Sequence, residues 1–317
     1  MTVKFNFTMN RRQILKTLGT ASGISLATPV AVSQTKSSPV NFKYCLNTST
    51  IQAQKTGLKN SIEIGAKAGY DSLELWVMDV KAYKDGDNSI KALKKFINDN
   101  KITIEDAIGF APWMVDEGKQ RQAGFSQMKE EMELMAELGC ARIAAPAAGV
   151  KPDVPLDLFK VGERYQMLLE LGRKTGVMPQ LEFWGPSPVF YHFGQALMAA
   201  AAANDPDVKI LPDVYHLFRG GSGYDCLKMV CGNLIDIIHM NDFPGNIPRE
   251  QQNDGHRVYP GDGVAPLKQI IADLARMGGT KVLSLELFNV EYWKNDPLTV
   301  AKTGLEKMKK VVATAGY

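Results

Sequence analysis

Between residues 42 and 317 the chain keeps passing from a short apolar run into a longer segment whose apolar residues recur every three or four positions. The short runs are Phe42–Leu46, Ser72–Val77, Ile102–Ile108, Ala141–Ala145, Val177–Glu182, Val208–Asp213, Leu234–His239 and Val282–Glu286. Each is short and bounded by turn residues, as a strand buried on both faces should be. The longer segments are Gly57–Ala68, Ser89–Asn98, Arg121–Leu138, Pro155–Arg173, Phe193–Ala203, Val264–Met277 and Pro297–Ala313. Several end on glycine, in A-G-Y-D, E-L-G-C-A-R and R-M-G-G-T-K, where a left-handed residue stops a helix. Eight strands so evenly spaced fit an α/β chain closed into a (β/α)8 TIM barrel, a single domain over 42–317, better than a doubly wound sheet. A barrel of this kind builds its site at the C-terminal ends of its strands, so polar residues there are the candidates.

The first 33 residues differ from the rest. Asn10-Arg11-Arg12-Gln13-Ile14-Leu15-Lys16 precedes a modestly apolar stretch and then small residues. This resembles a bacterial twin-arginine export signal, with cleavage expected near Ala31 to Ser33 and a periplasmic or secreted destination. Residues 34–41 read as a polar linker. The segment holds four cations and no acid, so the formal charge of +3 falls to −1 without it. A body of that charge lacks the basic stripe of a nucleic-acid binder, and no apolar run is long enough to keep it in a membrane after signal removal. Four cysteines are too few for a disulfide scaffold, and Cys226 and Cys231 read as structural residues on a helix.

The ends of the last four strands are not apolar. Q-L-E-F-W-G closes on Glu182, I-L-P-D on Asp213, I-I-H-M-N-D on His239 and L-S-L-E-L-F-N on Glu286. Neighbouring strands bring these four groups to one side of the mouth, within reach of a single ion. Three carboxylates crowded in a partly desolvated site repel one another, and a divalent cation removes that cost. Oxygen ligands with one imidazole and no thiolate favour Mn2+, Mg2+, Co2+ or Zn2+.

The ordered set of Glu182 in L-E-F, Asp213-x-x-His216, His239-x-x-Asp242, H-R-V-Y-P-G-D-G from His256 to Gly263, and Glu286 in S-L-E resembles the xylose-isomerase-like sugar isomerase and epimerase superfamily. Within it the likeness is to the single-metal ketose 3-epimerases and to exported proteins of the sugar phosphate isomerase/epimerase type. The resemblance covers nearly everything after residue 40. It implies that Glu182, Asp213, His239 and Glu286 bind the metal, that His216 and Arg257 hold substrate oxygens, and that Glu182 and Glu286 exchange protons. The expected activity is a divalent-metal-dependent sugar isomerase or epimerase, removing a proton next to a carbonyl through a metal-stabilised enediolate with two glutamates as acid and base. The residue chemistry agrees, because a Lewis acid stabilises the charge that develops and two glutamates can flank one carbon. Barrels of the group often pair, so a homo-oligomer is among the expectations.

Further residues are expected to touch substrate. Asp242 either orients His239 or meets the sugar, and Glu74 in L-E-L-W follows on strand two. Trp113 and Trp184, with Trp76, offer ring faces to the C–H face of a sugar. Two other activities share the metal and the pocket: a lyase of the inosose or dehydroshikimate dehydratase kind, and a carbohydrate-binding barrel without catalysis. An endonuclease of the AP-site type is disfavoured, since no histidine precedes His192 to complete a three-metal cluster.

Overall fold

The computed structural model describes residues 40–317, so the export signal, its cleavage and most of the linker lie outside the described residues. Eight strands occur among them: β1 Asn41–Asn47, β2 Ser72–Trp76, β3 Thr103–Ile108, β4 Arg142–Ala145, β5 Met178–Glu182, β6 Ile210–Leu211, β7 Ile237–Met240 and β8 Thr280–Leu285. All pair in parallel, in the ladders β3-β2-β1-β8-β7 and β4-β5-β6. The β6–β7 joint is closed by a single bridge between Asp213 and His239, with His239 N donating to Pro212 O at 2.9 Å. Across the β3–β4 joint, Arg142 Nη1 donates to Glu105 Oε1 at 2.5 Å.

Nine α-helices accompany the strands among the described residues: α1 Leu58–Ala68, α2 Val77–Asp85, α3 Ile90–Asp99, α4 Gly118–Leu138, α5 Leu158–Thr175, α6 Phe193–Ala203, α7 Val214–Arg219, α8 Leu267–Met277 and α9 Pro297–Ala315. Helix boundaries follow local chemistry. Ser89, Asp157 and Asp296 accept backbone N–H groups at their N-termini, and Gly69 and Gly139 adopt the left-handed conformation that ends α1 and α4.

Two of these helices are absent from the periodicity. Helix α2 follows β2 almost without a loop, so its first turn reads as more strand. Helix α7 is a single buried turn and a half in what reads as a glycine-rich loop. Strand β6 is shorter than Val208–Asp213, because Lys209 N donates to the Tyr165 hydroxyl at 3.0 Å instead of to a strand, and Pro212 has no N–H to give. Cys226 and Cys231 lie in or beside short 3-10 turns, and Cys231 is exposed, which corrects the helical reading.

Two hydrophobic layers result. The larger lies between the strands and the helices; the smaller fills the lumen with Cys45, Ile108, Ala144, Leu211, Ile237 and Val282. Each fully buried branched side chain contributes about 1.5–3 kcal/mol through area removed from water. The lumen also carries buried Glu74, Asp106, Gln180 and Ser284, which makes its upper end polar.

Helices α5 and α6 approach most closely at Gly162, where an added Cβ would meet Ala202 Cβ at 2.5 Å and Ala199 O at 2.8 Å. Gly162→Val is therefore expected to destabilise the fold by about 1–3 kcal/mol through overpacking. Denaturant unfolding monitored by circular dichroism checks this, and an unchanged midpoint would show that the helices separate freely.

Candidate metal and active site

The upper end of the lumen is built around one imidazole. His239 on β7 is fully buried, and its two ring nitrogens face different partners. Nε2 lies 3.0 Å from Glu74 Oε1, whose other oxygen accepts from Ser284 Oγ at 2.6 Å and Asn47 Nδ2 at 2.7 Å. An ionised carboxylate only accepts, so the ring proton belongs on Nε2 and a lone pair on Nδ1. Nδ1 has no hydrogen-bond partner. It lies 3.2 Å from Glu286 Oε2, 3.5 Å from Asp213 Oδ2 and 3.8 Å from Glu182 Oε1.

That arrangement fits a divalent cation. Donor atoms about 3–4 Å apart surround a common point at metal–ligand lengths of about 2.0–2.2 Å. Asp213, His239 and Glu286 each offer an atom within 4.8 Å of the others, and all three are buried. Glu182 approaches from the β5 side as a fourth group. The strand ends deliver them as expected in kind but not in register: Glu182 closes β5, His239 is followed by Met240 in β7, and Asp213 and Glu286 stand just past β6 and β8.

The charges explain the tension in the site. Burial, the largest cause, pushes the Glu182 carboxyl up to about 8; His239 opposes this, and Glu286 and Asp213 reinforce it. Burial also raises Glu286. At Asp213 burial is outweighed by Arg257, His216 and His239, which hold the carboxyl well below its usual range. At His239 burial is outweighed by Glu286 and Glu74, so the ring is held well above its usual value: the carboxylates around Nδ1 favour positive charge there, and the Nδ1 lone pair belongs to the ring when a cation takes the place of that proton. Glu182 accepts no hydrogen bond from any described residue, whereas Glu286 accepts from Asn47 at 3.1 Å and from Arg257 at 2.9 Å. The two glutamates thus differ: one is tethered, the other is free in the cavity.

Several residues take roles other than those read from the sequence. Glu74, expected at the substrate, instead orients His239 from beneath and does not line the cavity. Asp242 bonds neither His239 nor any group of the cavity over it, and does not line that cavity. Its carboxylate accepts from the N–H groups of Phe243, Gly261, Gly263 and Ala265 at 2.8–3.1 Å, clamping the loop that carries Arg257. Trp113 is fully buried beside Tyr165 and donates from Nε1 to Pro146 O at 3.1 Å; it belongs to the core. Trp184 and Trp76 do line the cavity.

His216 and Arg257, expected at substrate oxygens, also line it. Asp213 caps α7 by accepting from His216 N at 2.9 Å, and this short helix aims the imidazole inward. Burial lowers the His216 ring to about 4, leaving it neutral, with Nδ1 unpartnered. Arg257 is buried and donates to Asp213 at 2.6 Å, Glu286 at 2.9 Å and Asp254 at 2.6 Å. Asn47, Ser284, Asn241, Asp254 and Phe288 were not singled out from the sequence. Asn47 and Asn241 had a signal, a polar residue where an apolar strand ends, and Ser284 lies two before Glu286 on the same inward face.

The cavity over this cluster has a volume of about 470 Å3 and two unlike walls. Glu182, His216, Asp254, Arg257 and Glu286 form one; Trp76, Ile108, Phe110, Trp184, Pro186 and Phe288 form the other.

Comparison with known proteins adds to this geometry. A family model described as xylose isomerase-like TIM barrel matches residues 62–311. An inosose isomerase of Bacillus velezensis is 27% identical over 275 residues, covering 86% of this chain and 98% of that protein. A 3-dehydroshikimate dehydratase of Pseudomonas putida is 25% identical over 244 residues, which is 73% of this chain but 36% of that protein. Among solved structures, an IolI protein with a bound zinc atom superimposes with a TM-score of 0.80 at 26% identity, covering 86% of this chain and 99% of that one.

Because Glu74 fixes which nitrogen of His239 carries the proton, Glu74→Gln is expected to weaken divalent-metal binding about 10- to 100-fold with the fold retained. Calorimetric titration with Zn2+ or Mn2+ checks this, and wild-type affinity in the variant would remove Glu74 from that role.

Proposed function

Given that the chain belongs to the xylose isomerase-like TIM barrel family, we propose that it is a divalent-metal-dependent isomerase or epimerase of uncharged keto sugars or cyclic keto polyols. The observation that carries this reading is the unpartnered Nδ1 of His239 among Asp213, Glu286 and Glu182, directly beneath a cavity. In this reading Asp213, His239, Glu286 and Glu182 hold the ion. The zinc in a relative's structure supports Zn2+, and the donor set suits Mn2+, Mg2+ or Co2+ equally. A bound cation supplies electrostatic stabilisation of the oxygen on which negative charge develops.

The chain's own groups move the proton. Ionised Glu182, to which no described residue donates a hydrogen bond, takes the proton from the carbon beside the carbonyl. The C–H electron pair becomes the new carbon–carbon double bond, and the carbonyl pair moves onto oxygen. Glu286, facing the cavity across the site, returns a proton to the opposite face of that carbon or to its neighbour. His216 and Arg257 hold hydroxyl oxygens of the substrate, the neutral imidazole through whichever nitrogen faces the ligand.

The electrostatics of the walls support an uncharged substrate. Among the described lining residues Arg257 is the one cation, and Asp213, Glu286 and Asp254 already engage it. A phosphate or carboxylate would face Glu182, Glu286 and Asp254, and the charge of a divalent ion held there would already be offset by Asp213, Glu182 and Glu286. The dehydratase relative keeps a second reading in view, in which the same proton abstraction is followed by loss of a neighbouring hydroxyl. That charge balance favours an uncharged substrate over a carboxylate-bearing one. Export directed by residues 1–33 is part of the proposal and places the enzyme where free sugars occur.

The test is solvent exchange. Metal-loaded protein incubated in D2O with neutral keto sugars and inososes is expected to incorporate deuterium next to the carbonyl, followed by NMR. Glu182→Gln and Glu286→Gln are each expected to slow incorporation at least about 100-fold, the scale of one general acid–base group. Undiminished exchange in either variant would overturn that residue's role; dehydrated product without an epimer would favour the lyase.

A further inference from the structure

The apolar wall of the cavity is a continuous arc of rings. Phe288, Trp76, Phe110 and Trp184 follow one another across the mouth, from the ends of β8, β2, β3 and β5. Successive centroids are 6.2, 5.3 and 6.0 Å apart, with interplanar angles of 71°, 54° and 51°. Rings tilted in this way do not cover one another's faces. Elsewhere the chain does the opposite: Phe218 and Phe243 lie 3.8 Å apart at 10°, and Tyr259 and Tyr292 lie 4.1 Å apart at 13°.

All four rings line the cavity and Phe110 is 38% exposed; the Arg257 guanidinium lies 5.2 Å from the Phe288 centroid, so Trp76, Phe110 and Trp184 are the rings left to a ligand. Trp76 has spent its polar handle, donating from Nε1 to Asn47 Oδ1 at 3.0 Å, so it offers the cavity hydrocarbon alone. A sugar ring held over His239 by the polar wall can present one C–H face to one or two of these rings. Three such rings side by side exceed that need, and exposed apolar surface beside a polar site marks a binding surface.

Resting on the reading of this cavity as a sugar site, we propose that the Trp76–Phe110–Trp184 part of this arc is a subsite for an aromatic or similarly flat apolar substituent on the sugar. The substrate is then a glycoside or other aryl-bearing keto sugar. Its polyol ring lies towards Glu182, Glu286, His216 and Arg257, and its apolar group lies in the arc, where face and edge contacts with tilted rings are available to it.

Binding separates this from the proton chemistry. Calorimetric titration of the full, metal-loaded chain with phenyl and methyl β-D-glucopyranoside compares two neutral ligands that differ in the substituent alone. The phenyl glycoside is expected to bind at least 10-fold more tightly. That preference is expected to fall below about 3-fold in Phe110→Ala and in Trp184→Leu, with metal content and circular dichroism unchanged. Phe110 is exposed and touches none of the acidic cluster, so its loss leaves the fold intact. Equal affinity for the two glycosides, absence of binding by both, or a preference that survives both substitutions would overturn the proposal. Deuterium exchange on simple keto sugars with no phenyl preference would retain the isomerase reading and discard the subsite. A phenyl preference without exchange on any keto sugar would do the reverse.

Discussion

Four carboxylates, Glu74, Glu182, Asp213 and Glu286, surround one buried imidazole at the end of a barrel lumen, and much of the structure exists to hold them there. Unpaired charge at that depth is costly, and like charges at such separations disfavour each other's ionisation. The chain answers with fixed donors. Asn47 and Ser284 satisfy Glu74, Asn241 and the His216 backbone satisfy Asp213, and Arg257 spans Asp213 and Glu286. Glu182 alone receives no such donor, and the Nδ1 of His239 likewise goes without. A cation between them would complete the set, which is why the proposed chemistry is built on this pair.

The loop after β7 shows how far the scaffolding extends. Asp242 spends its carboxylate on four backbone N–H groups, a use that looks structural in isolation. Its consequence is positional: the loop from Asn253 to Ala265 is folded back so that Asp254 and Arg257 stand over the acidic cluster. Gly263 is required in this clamp, since a Cβ there would collide with the Asp242 carboxylate. Asp242 thus acts on the site through Arg257, without touching it.

The cavity divides its labour between walls. The polar wall has little spare hydrogen-bonding capacity except at Glu182 and His216, the groups left for substrate. On the apolar wall the tilted packing of Trp76, Phe110 and Trp184 keeps these rings from covering one another, while Arg257 lies over Phe288. Together they suit the proposed ligand, one with a hydroxyl-rich end and a flat hydrocarbon end.

The sequence determined the repeat, the closure into eight strand–helix units and the kind of residue at each strand end, because strand and helix periods and glycine stops are local properties of the chain. Glu182, Asp213, His239 and Glu286 were legible for that reason: each interrupts an apolar run at the end where a barrel opens. The short helix α7 and the truncated β6 were not, since both depend on distant partners, the Asp213 cap facing His239 and the Tyr165 hydroxyl taking a strand's hydrogen bond. Glu74, Asp242 and Trp113 were legible as polar or aromatic residues at strand ends. Only the tertiary structure decided that one orients an imidazole, one clamps a loop and one fills the core. Identity and spacing set which groups a residue can bond; which partner lies within 3 Å is set by segments that meet only when the barrel closes.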